Sequence, residues 1–489
     1  MSQRKLNYTD ALFFDAACGS ALEGRSREQI YQIIALIEQR RKMPEPGVWT
    51  FQTCLSIIKG SLGLREKKES KTEKSDALLM LANLLRQNPT PEVLSVFRTD
   101  IEHVVCREKC KIVFLLQEHT IWPAVEYLYR AAVADPRFEA QAVYVPFTHV
   151  NATGEDHNFE CYRAEGVEIV SCDQYDLAAE NPDVVVFTKP YEQIPREYTI
   201  REVEKLVKHT IYVPYGLELN KRLIKYGFQD YCHFAVWRHL AYGSIVKEYG
   251  TKFGYRNGEN IAVWGHPRVD NYRKENLPAP DPAWQAKIRG RKVILWCPHH
   301  TIGPGPECVS TWVQNREAVF TFFEQHPEAV LLWRPHPLLF GAIVHNKYMT
   351  QEELDAFLAE KQAQENVILD QTPDYRTAFA MSDAIITDGT TFSLEYLLTG
   401  KPLLVTADSL EQFYQPEAME EALSIGRTHE DIRRFAEDVL AGRDPKREKR
   451  EAFTESLFLR PKDKSVSENI LDNILLEIED EVKRMFAPG

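Results

Sequence analysis

Two kinds of hydrophobic pattern divide the chain, and the change between them falls near residue 106. Before it, apolar residues recur at helical spacing. Ile30, Ile33, Ile34 and Ile37 do so within REQIYQIIALIEQRRK, and ALLMLANLLRQN repeats the period from Ala77. Residues three and four apart share one face of a helix, so residues 1–105 are predicted to form a helical region. The intervening LREKKESKTEKSD mixes both signs of charge and reads as a solvated linker or helix face. From Lys111 onward the apolar residues come in short unbroken runs instead: KIVFLL, AQAVYVP, GVEIVS, DVVVFT, HTIYVPYG and NIAVWGHPR. Such runs fit strands covered on both faces. Helical stretches such as WPAVEYLYRAAVAD lie between them, the signature of a parallel sheet in an α/β domain.

Three prolines in KENLPAPDPAW predict a linker, after which the pattern restarts with RKVILWCPHH, AVLLWRPHP, NVIL, DAIITDGTT and KPLLV. The expected architecture is therefore α/β, with two Rossmann-like domains at 106–275 and 276–460 facing a cleft. Ligands in such sheets bind beyond the carboxyl ends of the strands. The tail from 461 to 489 reads as an amphipathic helix. Leu471, Leu475, Ile478, Val482 and Met485 share a face, and Ser465 and Glu468 have capping-box spacing. Its polar face is mostly acidic, which favours packing on the protein body over docking at a membrane.

Composition narrows the function classes. At 489 residues the chain has room for about three domains. With 44% hydrophobic and 27% charged residues it is an ordinary globular sequence. Acidic residues outnumber basic ones, giving a net charge of −13, so no broad positive field holds a nucleic-acid backbone. No apolar run approaches the roughly 18 residues of a membrane span. The N-terminal apolar stretch is broken by Asp10 and Asp15, against a signal peptide. Nine scattered cysteines fit a reducing, cytoplasmic compartment. Cys106 and Cys110 have the spacing of two ligands on one helix face, but no second Cys/His pair accompanies them. Neither a metal nor a cofactor is expected.

Candidate chemistry gathers after strands. In SDAIITDGTTFSLEYLLTGKPLLV a buried run ends at Asp388, Gly389, Thr390 and Thr391, where a helix starts. Helix N-terminal amides and the helix dipole favour anions there. Glu395 lies about one turn further on, suited to ribose hydroxyls. AVLLWRPHP delivers Arg334 and His336, a planar fork for phosphate oxygens and an imidazole donor. VILWCPHHT delivers His299 and His300, whose economical functional reading is contact with phosphate or acceptor; a metal would need a third ligand. GHPRVD places Arg268 and Asp270 just before the linker. In the first half, Glu118 and His119 follow the first strand as candidate general bases, and Tyr215 follows another.

Taken in order, GHPRVD, VILWCPHHT, RPHP and SDAIITDGTTFSLEYLLTGKPLLV resemble the CDP-glycerol glycerophosphotransferase family of teichoic-acid and capsule synthesis. They are similar to its GxPRxD, APT-like loop, RxHP and SDxLITDYSSxxFD segments. The resemblance spans roughly residues 110–460. It implies a GT-B fold, with an acceptor domain first and a nucleotide-donor domain second. It implies that Arg334 and His336 bind the donor diphosphate, that Thr390 and Thr391 hold phosphates, that Glu395 meets ribose, and that Arg268 lines the cleft. The implied donor is a CDP-linked polyol, and the implied acceptor a glycan, polymer or lipid-linked primer. The implied location is the cytoplasm, with room for peripheral contact at the inner face of the cell membrane. Two positions depart from the pattern. Tyr215 stands where the family carries the histidine of a Trp-His-Gly segment, and TDYSS is TDGTT here. A GT-B glycosyltransferase or epimerase using a UDP-sugar, and a family member that binds without turnover, are the competing readings.

Overall fold

The computed structural model describes residues 7–20, 25–41, 74–97, 108–147, 156–217, 219–221, 228, 230–303, 305, 308–406, 410 and 412–487. Most of the mixed-charge run at 64–76 lies outside these residues, as does Cys106.

The apolar runs form two parallel sheets. The first contains β1 (Cys110–Leu116), β2 (Phe138–Tyr144), β3 (Ile169–Ser171), β4 (Val184–Phe187), β5 (His209–Tyr212), β6 (Arg238–Leu240) and β7 (Ile261–Ala262). Its order is β3-β2-β1-β4-β5-β6-β7. The second contains β8 (Lys292–Cys297), β9 (Ala329–Trp333), β10 (Val367–Leu369), β11 (Ala384–Thr387), β12 (Leu403–Thr406) and β13 (Ser424–Gly426), in the order β10-β9-β8-β11-β12-β13. Both follow the doubly wound order in which the chain reverses direction beside the first strand. Every residue of β1, β4 and β9 is buried, which is why these strands read as unbroken apolar runs. Cys110 opens β1, so the helix face imagined for Cys106 and Cys110 does not exist at Cys110.

The helical N-terminus packs at the back of the first sheet. Helices α1 (Tyr8–Ser20), α2 (Arg27–Arg41) and α3 (Lys74–Arg86) share a core of Phe13, Phe14, Ile33, Ile37, Leu81 and Leu85. Asp183, just before β4, accepts from the amides of Thr9 at 2.8 Å and Lys111 at 2.9 Å. That pins α1 to the amino ends of β1 and β4, opposite the carboxyl edge of the sheet. In the first sheet, β1 is followed by a 3-10 turn and α4 (Glu126–Ala134).

The C-terminal chain leaves the second sheet and returns to the first. Of its helix, α6 (Val466–Met485), Ile470, Leu471, Ile474, Leu475 and Ile478 are buried. The Trp237 indole donates to Glu481 at 2.6 Å, and Arg238 pairs with Glu477. Val482 and Phe486 complete the N-terminal helical core. The amphipathic stripe is thus consumed by the protein body. Among the described residues no helix is long and apolar enough to cross a membrane.

The GHPRVD turn sets this crossover. Gly265 has φ +96, and a Cβ there would lie 2.5 Å from Val466 Cγ1, so only glycine fits. Asp270 accepts from the Val466 and Ser467 amides, at 3.0 and 2.8 Å, and from the Ser467 hydroxyl at 2.6 Å. It therefore satisfies the first amides of α6, which have no partner within the helix.

Candidate functional site

Three adjacent strands of the second sheet bring their carboxyl ends together. The order β9-β8-β11 places His336, His299 and the Asp388 turn side by side. The backbone locks them: the His336 amide donates to the Pro298 carbonyl at 3.0 Å, and the Thr387 hydroxyl to the Cys297 carbonyl at 3.1 Å. Asp388 is wholly buried and accepts from the Thr311 amide at 2.6 Å and from the His299 amide. Burial pushes its carboxyl up to about 7 against those bonds. Helix α5 (Thr390–Leu397) starts directly after, with Gly389 as its cap at φ −88. A Cβ on Gly389 would meet only ordinary contacts, the nearest at 3.5 Å, so the protein itself does not demand glycine there.

The three histidines, separate in the sequence reading, form one cluster. Ring centroids are 4.4 Å apart for His299 and His300, 4.1 Å for His300 and His336, and 5.3 Å for His299 and His336. His336 supplies the third imidazole that a metal site would need, and one nitrogen from each ring lies within 4.8 Å of the others. The hydrogen bonds point to another use. Nδ1 of His299 lies 2.8 Å from the Thr301 hydroxyl and accepts from the Thr301 amide at 3.3 Å, and Nδ1 of His336 accepts from the Leu338 amide at 3.1 Å. Burial, then the neighbouring imidazoles, lower His299 to about 3 and His336 to about 4, so both rings are neutral at pH 7. A neutral ring whose Nδ1 accepts carries its proton on Nε2. Two Nε2–H donors at strand ends suit oxyanions. Metal-ligating histidines usually do the reverse, donating Nδ1–H to a neighbour and offering a lone pair at Nε2. Burial also lowers His300, and among the described residues its Nδ1 has no hydrogen-bond partner.

The two arginines are both held by carboxylates. Arg334 pairs with buried Asp370 at 2.5 Å and donates to the Thr372 carbonyl at 2.8 Å. Arg268 donates to Glu395 at 2.7 Å, to the Tyr375 hydroxyl, and to the Tyr215 carbonyl at 2.5 Å. Glu395 is fully buried, and its other oxygen accepts from Tyr272 at 2.9 Å and Tyr375 at 2.5 Å. Burial alone would lower Arg268, but Glu395 together with the Tyr375 and Tyr272 hydroxyls outweighs it and raises the guanidinium above its ordinary range. In this state Glu395 faces a buried clamp between the two halves, not an open ribose site. Tyr272, Tyr375 and Asp370 were not singled out in the sequence, since their partners are distant along the chain. Lys401 of the GKP ending caps the helix Arg376–Met381, donating to the carbonyls of Phe379, Ala380 and Ser382.

In the first half, Glu118 pairs with Lys189 after β4. The His119 ring packs edge-on against Tyr162 and lies 2.9 Å from Glu165. Tyr215 is 37% exposed, and its hydroxyl is 3.0 Å from that of Tyr191.

Two doubly wound sheets, a short linker and a returning C-terminal helix define the GT-B class of two-domain α/β enzyme folds. Residues 244–476 match the model of the CDP-glycerol:poly(glycerophosphate) glycerophosphotransferase family, a family of transferases, and all four motifs quoted above lie within that match. The resemblance drawn from those motifs is borne out. The first-half residues Glu118, His119, Tyr191 and Tyr215 lie outside it. No curated protein sequence matches the chain at a significant level. Among solved structures, a UDP-GlcNAc 2-epimerase from Methanocaldococcus jannaschii aligns with TM-score 0.51 at 14% identity, over 75% of this chain and 99% of that one. The enzyme of that name from Neisseria meningitidis, bound to UDP-GlcNAc, aligns with TM-score 0.50 at 13% identity, over 75% and 100%. The wall teichoic acid polymerase TagF aligns with TM-score 0.48 at 15% identity, over 77% and 90%.

Proposed function

We propose that the protein transfers glycerol phosphate, or a related polyol phosphate, from a CDP-linked donor to a hydroxyl of a cell-surface glycan or polymer acceptor. The observation that carries this reading is the cluster of His299, His300, His336, Arg334 and the Asp388–Thr391 turn at three adjacent strand ends, inside the matched stretch. The acceptor oxygen attacks the glycerol-side phosphorus, the bond from that phosphorus to the oxygen bridging to CMP breaks, and CMP leaves. The acceptor proton passes to a base. Glu118 is the better candidate, because the His119 ring is turned into Tyr162 and Glu165. The Nε2–H groups of His299 and His336, the α5 amides and Arg334 stabilise charge on the transferring and leaving phosphates. The seven cysteines among the described residues are all free thiols, which supports a reducing, cytoplasmic setting for this reading.

The test is a thermal-shift panel of CMP, CDP-glycerol, CDP-ribitol, UDP and UDP-GlcNAc, followed by CMP release. A ligand specific for the folded state adds about 2.7 kcal/mol at a hundredfold excess over its Kd. Stabilisation by cytidine ligands with CMP release is expected. Stabilisation by uridine ligands alone would move the reading to a UDP-sugar glycosyltransferase or epimerase. Cytidine binding without CMP release for any acceptor would leave a binding protein.

A further inference from the structure

Of the exposed large apolar side chains among the described residues, Tyr191 and Tyr215 are the pair whose rings touch. Apolar residues exposed singly are normal for a soluble protein, and these two differ in adjoining one another. Tyr191 is 41% exposed and Tyr215 37%. They follow the neighbouring strands β4 and β5 at the carboxyl edge of the first sheet. Their centroids are 6.3 Å apart and the rings tilt by 50°. Their hydroxyls, 3.0 Å apart, bind each other, which braces both rings. Phe147 backs Tyr191 at 6.0 Å, and the Lys189 ammonium lies 4.2 Å over the Phe147 ring while pairing with Glu118. The platform therefore has apolar faces and a charged border.

Its place in the molecule ties it to the transfer site. The Tyr215 carbonyl accepts from Arg268 at 2.5 Å, and Arg268 reaches Glu395 on α5 at 2.7 Å. One guanidinium thus spans from the tyrosine platform to the helix that begins at the phosphate turn.

We infer that Tyr191 and Tyr215 form a subsite for a pyranose ring of the acceptor. The inference rests on the transfer reading for its biological role, but the site stands on its own geometry. A pyranose has a C–H face that covers an aromatic ring and hydroxyls at its edge that meet polar groups. The platform offers that combination, with the Lys189–Glu118 ion pair as the polar border for edge hydroxyls. A glycerol phosphate chain has no flat apolar face and carries charge at every unit. An acyl chain would leave the Lys189–Glu118 border unused.

The experiment is saturation-transfer-difference NMR on the full chain. The probes are the methyl pyranosides of glucose, galactose, N-acetylglucosamine and N-acetylmannosamine, with glycerol 3-phosphate and a short-chain alkyl phosphate alongside. Saturation of ring C–H protons in at least one pyranoside is expected. It should fall at least tenfold in Tyr191→Ala and Tyr215→Ala and persist in Tyr191→Phe, with circular dichroism and melting temperature unchanged. No transfer to any pyranoside overturns the inference, as does transfer that Tyr191→Ala leaves intact. Transfer confined to glycerol 3-phosphate or the alkyl phosphate overturns it in favour of those occupants. A separate melt with CDP-glycerol keeps the two readings apart. Tyrosine-dependent pyranoside binding without a cytidine shift would keep the subsite and sink the donor assignment, and the opposite pattern would do the reverse.

Discussion

A histidine proposed to meet phosphate is usually credited with a positive charge, and the geometry here argues otherwise. His299 and His336 are neutral, and backbone amides at Nδ1 hold each proton on Nε2. Neutral donors cost less to bury than charged ones and need no titration to work near pH 7. His336→Ala should therefore lower kcat about 10²- to 10³-fold, the usual cost of losing one oriented donor, without unfolding the protein. An unchanged kcat in a folded variant would remove His336 from the chemistry. Neither histidine should contribute an inflection to the rate between pH 6 and 8. Asp388, raised to about 7, is the group that should. Its ionised form is the better acceptor for the Thr311 and His299 amides that shape the loop. Activity should accordingly rise with pH through about 7 and then level off. Asp388→Asn should give a lower rate with no inflection there, read from kcat/KM between pH 5.5 and 9. An inflection that survives in Asp388→Asn would assign it to another group.

At the scale of elements, the parts that matter most are those joining one strand end to another. Arg268 sits on the turn before the linker and Glu395 on α5, 127 residues later. Both are buried, and Tyr272 and Tyr375 complete the carboxylate's bonds. Removing one partner of such a pair leaves a charge in a dry site, at a cost of about 3–5 kcal/mol. Arg268→Met should lose about that much in urea unfolding. Arg268→Met with Glu395→Met should lose clearly less, because no lone charge remains. Equal losses would mean that packing, not charge, dominates the clamp. This clamp explains what was legible in the sequence and what was not. Strand runs such as KIVFLL and AVLLW declare themselves because burial on both faces leaves an unbroken apolar string. β6 and β13 were missed because Arg238–Leu240 and Ser424–Gly426 each hold a single large apolar residue and so leave no apolar run. The site's strand ends were legible as polar residues interrupting those strings. Their pairings, Arg268 with Glu395 and Arg334 with Asp370, were not, because contacts across such separations leave no local pattern. The third imidazole of the cluster was hidden for the same reason: His336 meets His299 and His300 only because β9 pairs with β8.

Over the whole molecule, structural support and chemistry occupy opposite edges. The N-terminal helices and the end of α6 share a core behind the first sheet, while the polar residues gather at the carboxyl edges. Acid connects the two regions. Six histidines, His233, His239, His266, His299, His300 and His336, are held below their ordinary range chiefly by burial. The unfolded chain protonates all six as pH falls through about 6.5, and the folded chain resists. Protons thus bind the unfolded state more strongly, and stability is lost as pH drops below that value. Asp183, Asp230, Asp270 and Asp388 are raised and work in the opposite sense, because the folded chain takes up their protons first. All six histidines protonate in the unfolded chain within this window, whereas of the four carboxyls Asp388 is the one raised to about 7, so the melting temperature should fall by several degrees between pH 7.5 and 5. His233 and His239 lie 3.2 Å apart between Nδ1 atoms, away from the proposed donor site. Replacing both with glutamine keeps polar side chains there but removes two of the six titrations. The double variant should therefore show a shallower fall by scanning calorimetry over the same range, whatever its melting temperature at pH 7.5. A wild-type melting temperature that holds steady or rises on acidification would mean that the buried carboxyls outweigh the histidines. The sequence shows how many histidines there are, but which of them titrate against folding is set by where the fold buries them.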